Sequence, residues 1–182
     1  MFLGKYLDAL VRASAKVRSP GYKTTAILLG TAIFFLVVPF LLFLAGYVIE
    51  KHLIAPRAKL LETVFALVCV IVGIVFAGWA VLTQVRIGKG TPVPIAPPQK
   101  LIVTGPYRLC RNPIQLGANL YYLGVGTYFG SLGIGVLMFI LGLILGSSYH
   151  RFVEERELAL KFGAEYEEYK KRTPFLIPKL RG

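Results

Sequence analysis

Residues 113–149 read P-I-Q-L-G-A-N-L-Y-Y-L-G-V-G-T-Y-F-G-S-L-G-I-G-V-L-M-F-I-L-G-L-I-L-G-S-S-Y, without one charged side chain. As a single helix the stretch is too long for one comfortable bilayer crossing, and for two full crossings it is slightly short. Gly124, Gly126, Gly130, Ser131, Gly133 and Gly135 gather at its middle. The stretch therefore predicts a tight hairpin of two helices, roughly Pro113 to Tyr128 and Leu132 to Tyr149, with Gly142 and Gly146 allowing close packing. A hairpin returns the chain after Tyr149 to the side from which Pro113 departed, whereas a single crossing would separate the two.

The rest of the chain fits a membrane setting. Of its 182 residues 55% are hydrophobic and 16% charged, too much apolar surface for an ordinary soluble domain. Thr24 to Ile49 and Thr63 to Gln84 are each free of charge and long enough to cross, the first with Pro39 as a kink. Gly73 and Ala77 form a small-xxx-small pair in the second span, a mark of helix packing. Over residues 1–23, Leu3, Tyr6, Leu7, Leu10, Ser14 and Val17 recur at helical spacing beside Lys5, Arg12 and Lys16, which predicts an amphipathic helix lying on the membrane. That segment mixes charge with apolar residues and is not expected to be a cleavable signal peptide. The fold class is all-α: a polytopic integral membrane protein of about four transmembrane helices with an N-terminal interfacial helix and a cytosolic C-terminal helical segment, in one membrane domain over residues 1–182.

The net charge of +12 belongs to this setting. Residues 1–23 carry five basic residues and one acid, and residues 85–112 five basic residues and no acid, so both are expected in the cytosol. No basic run is interleaved with stacking aromatics outside the apolar segments, and nucleic acid is not an expected partner. The two cysteines, Cys69 and Cys110, suggest no disulfide framework. Cys110 lies between Arg108 and Arg111 and is read as a small filler.

The polar stretch 85–111 contains G-K-G-T-P-V-P-I-A-P-P-Q-K, whose glycines and prolines forbid a regular helix, while Val93, Ile95, Leu101, Ile102 and Val103 suggest that it packs onto something. It leads into G-P-Y-R-L-C-R-N-P-I-Q-L-G, from Gly105 to Gly117, where two arginines offer forked donors for carboxylate or phosphate and Pro106 and Pro113 stiffen the backbone. Beyond Tyr149 the chain reads as a helical continuation broken at Gly163, then a further turn or two with Tyr166 and Tyr169 on one face, stopped by Pro174. Glu154 and Glu155 sit just beyond the apolar run. His150 and Glu154, four apart, are too few to make a metal site, and no metal is expected.

Three motifs in fixed order, G-x-G-T-P-x-P-x-x-P-P, G-P-Y-R-x-x-R-N-P and E-E-x-x-L-x-x-x-F-G-x-x-Y-x-x-Y, resemble the isoprenylcysteine carboxyl methyltransferase family with its related bacterial and phospholipid methyltransferases. The resemblance covers Gly88 to Pro178, about half the chain. It implies an integral membrane enzyme that uses S-adenosylmethionine and methylates a lipid-like or prenylated acceptor, on a carboxylate or an amine. Gly105, Pro106, Tyr107, Arg111, Asn112, Pro113 and Gly117 would form one wall of a cytosol-facing cofactor pocket, and Glu154, Glu155, Tyr166, Tyr169 and Arg172 the other, with Arg111, Glu155 and Arg172 as candidate catalytic residues. Two positions depart from the pattern: many members have histidine where this chain has Asn112, and tyrosine where it has Gln115.

Such a donor has a positive sulfonium, a carboxylate and an adenine that needs a flat, partly apolar slot. Arg111 or Arg172 suits the carboxylate, Glu154 or Glu155 the ribose, and Tyr107 or Tyr166 the cationic region. Methyl transfer is an in-line displacement that needs alignment and exclusion of water. An NADPH-dependent membrane reductase related to sterol reductases, or a lipid-binding protein without enzymatic activity, are the alternatives. Localisation follows the same resemblance: the inner membrane of a prokaryote or the endoplasmic reticulum of a eukaryote, with both termini and the active site cytosolic.

Overall fold

The computed structural model describes residues 19–50, 59–89, 91 and 98–178. These are mainly helical, with no strand among them. Helix α1 spans Gly21–Glu50, α2 Lys59–Gly88, α3 Pro113–Phe129, α4 Leu132–Phe162 and α5 Ala164–Arg172, with a tight 3₁₀ turn at Gly105–Arg108 before α3. Helices α1, α2 and α4, of 30, 30 and 31 residues, are long and apolar enough to cross a membrane. Helix α3, at 17 residues, rises only ~25 Å, short of a ~30 Å hydrocarbon core. The two helices of the hairpin are present, α3 ending one residue past Tyr128 and α4 starting at Leu132 as expected, but the arms are unequal: α4 runs on from Tyr149 through the charged residues after it. The interfacial helix expected over residues 1–23 lies almost wholly outside the described residues, as does most of the proline-rich stretch.

The described chain gathers into two compact units: one takes the residues up to Gly30, Gly78–Ile114 and those from Ser147 on, the other Thr31–Ala77 and Gln115–Gly146. Pro39 shapes the second unit. It has no N–H to give to the carbonyl of Phe35, and α1 widens into π-type turns over Ile33–Val37 just before it. The freed carbonyls find donors on α3: Tyr121 Oη donates to Phe35 O at 3.0 Å and Tyr122 Oη to Phe34 O at 2.9 Å. Apolar surroundings make such substitutes obligatory.

Small residues set the helix spacing in the same unit. A Cβ on Gly117 would stand 2.6 Å from the Ala77 nitrogen, and one on Gly73 would stand 2.6 Å from the Tyr121 nitrogen, so α2 and α3 touch backbone to backbone. Gly142 and Gly146 do the same for α4, facing Asn119 with Tyr122 and Gln115 respectively. Around them Leu42, Ala118, Tyr122, Ile134 and Met138 form the buried core. At the hairpin turn Ser131 Oγ accepts from the Ile134 N–H at 3.1 Å, capping α4, and donates to the Glu50 carboxylate.

In the first unit, α2 runs to Gly88 and not merely to Gln84, ending in π-type turns over Gln84–Gly88 and a left-handed residue, Lys89. The chain then returns across this end: Gln99 N–H donates to Gly88 O at 2.7 Å, and buried Ile102 packs where a side chain on Gly88 would otherwise lie. The expectation that the polar stretch packs onto something holds for Ile102.

Candidate active site

Local conformation builds the first wall. Gly105 adopts φ +61°, a left-handed backbone that turns the chain into the 3₁₀ segment, and an added Cβ would meet Thr83 Oγ1 at 3.3 Å. Pro106 and Pro113 are almost fully buried and fix the two ends of the motif. Between them the two arginines diverge: Arg108 is exposed, while the Arg111 side chain is only 12% exposed. Arg111 Nη1 pairs with Glu155 Oε1, on a side chain itself 14% exposed, and Lys170 Nζ reaches Glu155 Oε2 at 3.5 Å from α5. The motif, α4 and α5 are tied together by this pair.

Further bonds lock the arrangement. Tyr169 Oη donates to Tyr107 O at 2.7 Å, and Tyr107 Oη donates to Gln84 Oε1 at 3.0 Å. Gln84 in turn gives Nε2 to Thr91 O at 3.0 Å, linking the end of α2 to the loop beyond it. The tail after α5 crosses the motif: Arg111 N–H donates to Pro174 O at 2.9 Å, and Asn112 Nδ2 to Phe175 O at 3.0 Å. The Phe175 ring lies 5.5 Å from the Arg111 guanidinium and 4.9 Å from that of Arg151.

Burial keeps the phenols of Tyr107, Tyr166 and Tyr169 protonated far above their ordinary range. Held protonated, they can donate hydrogen bonds but cannot act as bases near neutral pH. Burial also pushes the Cys110 thiol up to about 11, which fits the reading of a small filler and not of a nucleophile.

The expected site residues are distributed unevenly over the structure. Gly105, Pro106, Tyr107, Arg111, Asn112, Pro113, Glu154, Glu155, Tyr166 and Tyr169 share one unit. Gly117 falls in the other unit, where it packs α3 onto Ala77. Arg172 is 66% exposed and leans toward Glu168 at 3.8 Å. At ~100° per residue, position 172 has turned well past the buried face that holds Tyr166 and Tyr169. The two departures acquire local explanations. Asn112 clasps the tail, and Gln115 turns into the α3–α4 contact, where Nε2 donates to Leu143 O at 3.4 Å. Glu154 is engaged by His150 Nδ1 on its own helix. Among the described residues no group of three His, Cys, Asp or Glu side chains stands close enough to hold a metal. Gln84, Phe175, Arg151 and His150 were not among the expected site residues. A glutamine closing an uncharged span was the available signal for Gln84, whereas nothing local marks Phe175.

The family model for phospholipid methyltransferases matches residues 61–165, more than half of the chain. The chain belongs to the phospholipid methyltransferase family. It is an all-α integral membrane protein, and the match gives no support to a reductase. Among curated relatives it is 35% identical over 80 residues to the cobalt-zinc-cadmium resistance protein CzcN of Cupriavidus metallidurans, covering 44% of this chain and 36% of that one. It is 32% identical over 74 residues to methanethiol S-methyltransferase 2 of Bradyrhizobium diazoefficiens, covering 41% and 27%. It is 33% identical over 90 residues to protein-S-isoprenylcysteine O-methyltransferase of Mus musculus, covering 45% and 29%. These matches span roughly a third of each relative's length. No solved structure matches.

Proposed function

We propose that this protein is an S-adenosylmethionine-dependent methyltransferase of the membrane, acting on a lipid-like or prenylated acceptor, with its site and both termini on the cytosolic face. One observation carries the reading: the buried Arg111–Glu155 pair leaves Arg111 Nε, equally buried, without a hydrogen-bond partner among the described residues. A buried donor of this kind is costly unless a ligand meets it. A carboxylate meets it best, and the Tyr166 and Phe175 rings supply aromatic faces around it. The residues thus fit the cofactor.

When bound, S-adenosylmethionine supplies a methyl group on a positively charged sulfur. Arg111 would hold its carboxylate, and Glu154 or Glu155 its ribose hydroxyls. Asn112 and the Arg111 backbone hold the tail over the motif, which keeps water from the site, and the Gln84–Tyr107–Tyr169 chain of bonds fixes the wall that presents Arg111. Incubation with labelled S-adenosylmethionine and total membrane extract, followed by identification of the methylated species, tests this function. Transfer of label to a lipid or prenylated molecule is the expected result; no transfer to any component would refute it.

A further inference from the structure

The guanidinium at the centre of the candidate site is sealed. Arg111 Nε and Nη1 are both buried from solvent, so a ligand carboxylate can reach Nε only after something lying against Arg111 has moved. Its cover comes from three places: Glu155 on α4, Lys170 reaching over from α5 to that carboxylate, and Pro174 and Phe175 in the tail. The two helices are held by their own backbone ladders. Residues 173–178 form neither helix nor strand, and they rest on the motif through the Arg111 N–H bond to Pro174 O, the Asn112 bond to Phe175 O and the Phe175 ring. A segment held by so few bonds opens at far lower cost than a helix does. The tail is the piece that can lift.

The ring contact is the one that reaches beyond the motif. Phe175 lies under two guanidiniums, that of Arg111 at 5.5 Å and that of Arg151 at 4.9 Å. Arg151 stands on α4, is exposed, and pairs with no carboxylate among the described residues. Its planar, weakly hydrated guanidinium suits an aromatic face. Each such contact biases an equilibrium by roughly 2- to 30-fold, enough to favour a closed tail and little enough to break during ligand exchange.

We propose that Phe175 is a latch: its ring, held by Arg111 and Arg151, fastens the tail over the donor site, and the donor enters and leaves only while the ring is released. This rests on the methyltransferase reading above. Arg151 is a positioning residue that acts on the donor through Phe175. A latch differs kinetically from a wall of the pocket. Weakening a wall contact speeds release alone, whereas weakening a latch speeds entry and release together, because both pass through the open tail.

The test uses the full-length protein in detergent and tritiated S-adenosylmethionine, with entry followed by rapid filtration and release by a chase of unlabelled S-adenosylmethionine. Phe175→Leu keeps apolar bulk and removes the ring, and Arg151→Gln removes one cation. Each should raise both rates by roughly 2- to 30-fold, with Kd moving by no more than about threefold. Phe175→Tyr keeps the ring and should show wild-type rates. A second readout needs no donor: hydrogen exchange of the Arg111 amide, which is bonded to Pro174 O, should quicken in Phe175→Leu and in Arg151→Gln. Faster release with unchanged entry would make Phe175 a wall contact and overturn the inference. Unchanged rates in Phe175→Leu, or an Arg111 amide whose exchange ignores both variants, would overturn it as well. If wild type bound no donor, the methyltransferase reading would fail instead, and the amide exchange would still decide whether the ring holds the tail.

Discussion

Replacing Glu155 with glutamine keeps the shape of the side chain and removes its charge, leaving the Arg111 guanidinium buried opposite a neutral group. With side chains only 12% and 14% exposed, the pair is poorly screened by water. Removing one member of such a pair costs about 3–5 kcal/mol. The residual exposure and the loss of the Lys170 contact favour the lower end, so about 3 kcal/mol is expected, or a fall in melting midpoint of roughly 6–12 °C. Donor affinity should fall as well, by roughly 10- to 150-fold if one charge-assisted hydrogen bond of about 1.5–3 kcal/mol is lost. Arg111→Met combined with Glu155→Leu separates the two effects. An apolar pair of similar volume recovers most of the stability, but it offers nothing to a carboxylate and should not bind donor. Thermal unfolding in detergent and equilibrium dialysis with labelled donor are the assays. A Glu155→Gln protein that melts with wild type would show that the pair is not desolvated. A double variant that binds donor normally would remove Arg111 and Glu155 from the site.

Other expectations follow from single contacts. Tyr121→Phe strips the Phe35 carbonyl of its substitute donor in apolar surroundings and should cost about 1–3 kcal/mol, read as a lower melting midpoint, whereas Phe43→Leu nearby should cost less. Gly117→Val drives a side chain into the α2 backbone and should reduce the yield of folded protein sharply, with Gly21→Ala, where an added Cβ meets nothing, as the neutral comparison. Cys110, with its thiol raised to about 11, should resist N-ethylmaleimide at pH 8 in a Cys69→Ala background until the protein is denatured. The sign of its linkage is that of a raised group: burial favours the protonated thiol, so its contribution is complete below the ordinary thiol range near 9 and is lost as pH rises toward 11.

The sequence made the helices legible because apolar length and glycine placement are local signals. The hairpin limits, the break at Gly163 and the buried face of Tyr166 and Tyr169 all follow from spacing a few residues wide. The site was legible only in part. Arg111 and Glu155 carry a motif, but whether Gly117 serves a ligand or a helix contact depends on Ala77, forty residues away, and Gly at that position satisfies both. Arg172 lies in the same polar run as Lys170, and only the rotation of α5 decides which of them meets Glu155. The π-type turns at Gln84–Gly88 and His150–Glu154 have no simple sequence signature, although both adjoin residues of the candidate site. The tail residue Phe175 gains its role from a fold that places it over Arg111.

The central claim is that the Arg111–Glu155 cluster holds a sulfonium donor. Equilibrium binding of tritiated S-adenosylmethionine to the purified protein, alongside labelled NADPH, tests it most directly. Saturable binding of the first that is lost in Arg111→Met/Glu155→Leu, with no binding of the second, is the predicted result. Saturable binding of NADPH alone, or of neither, would contradict it.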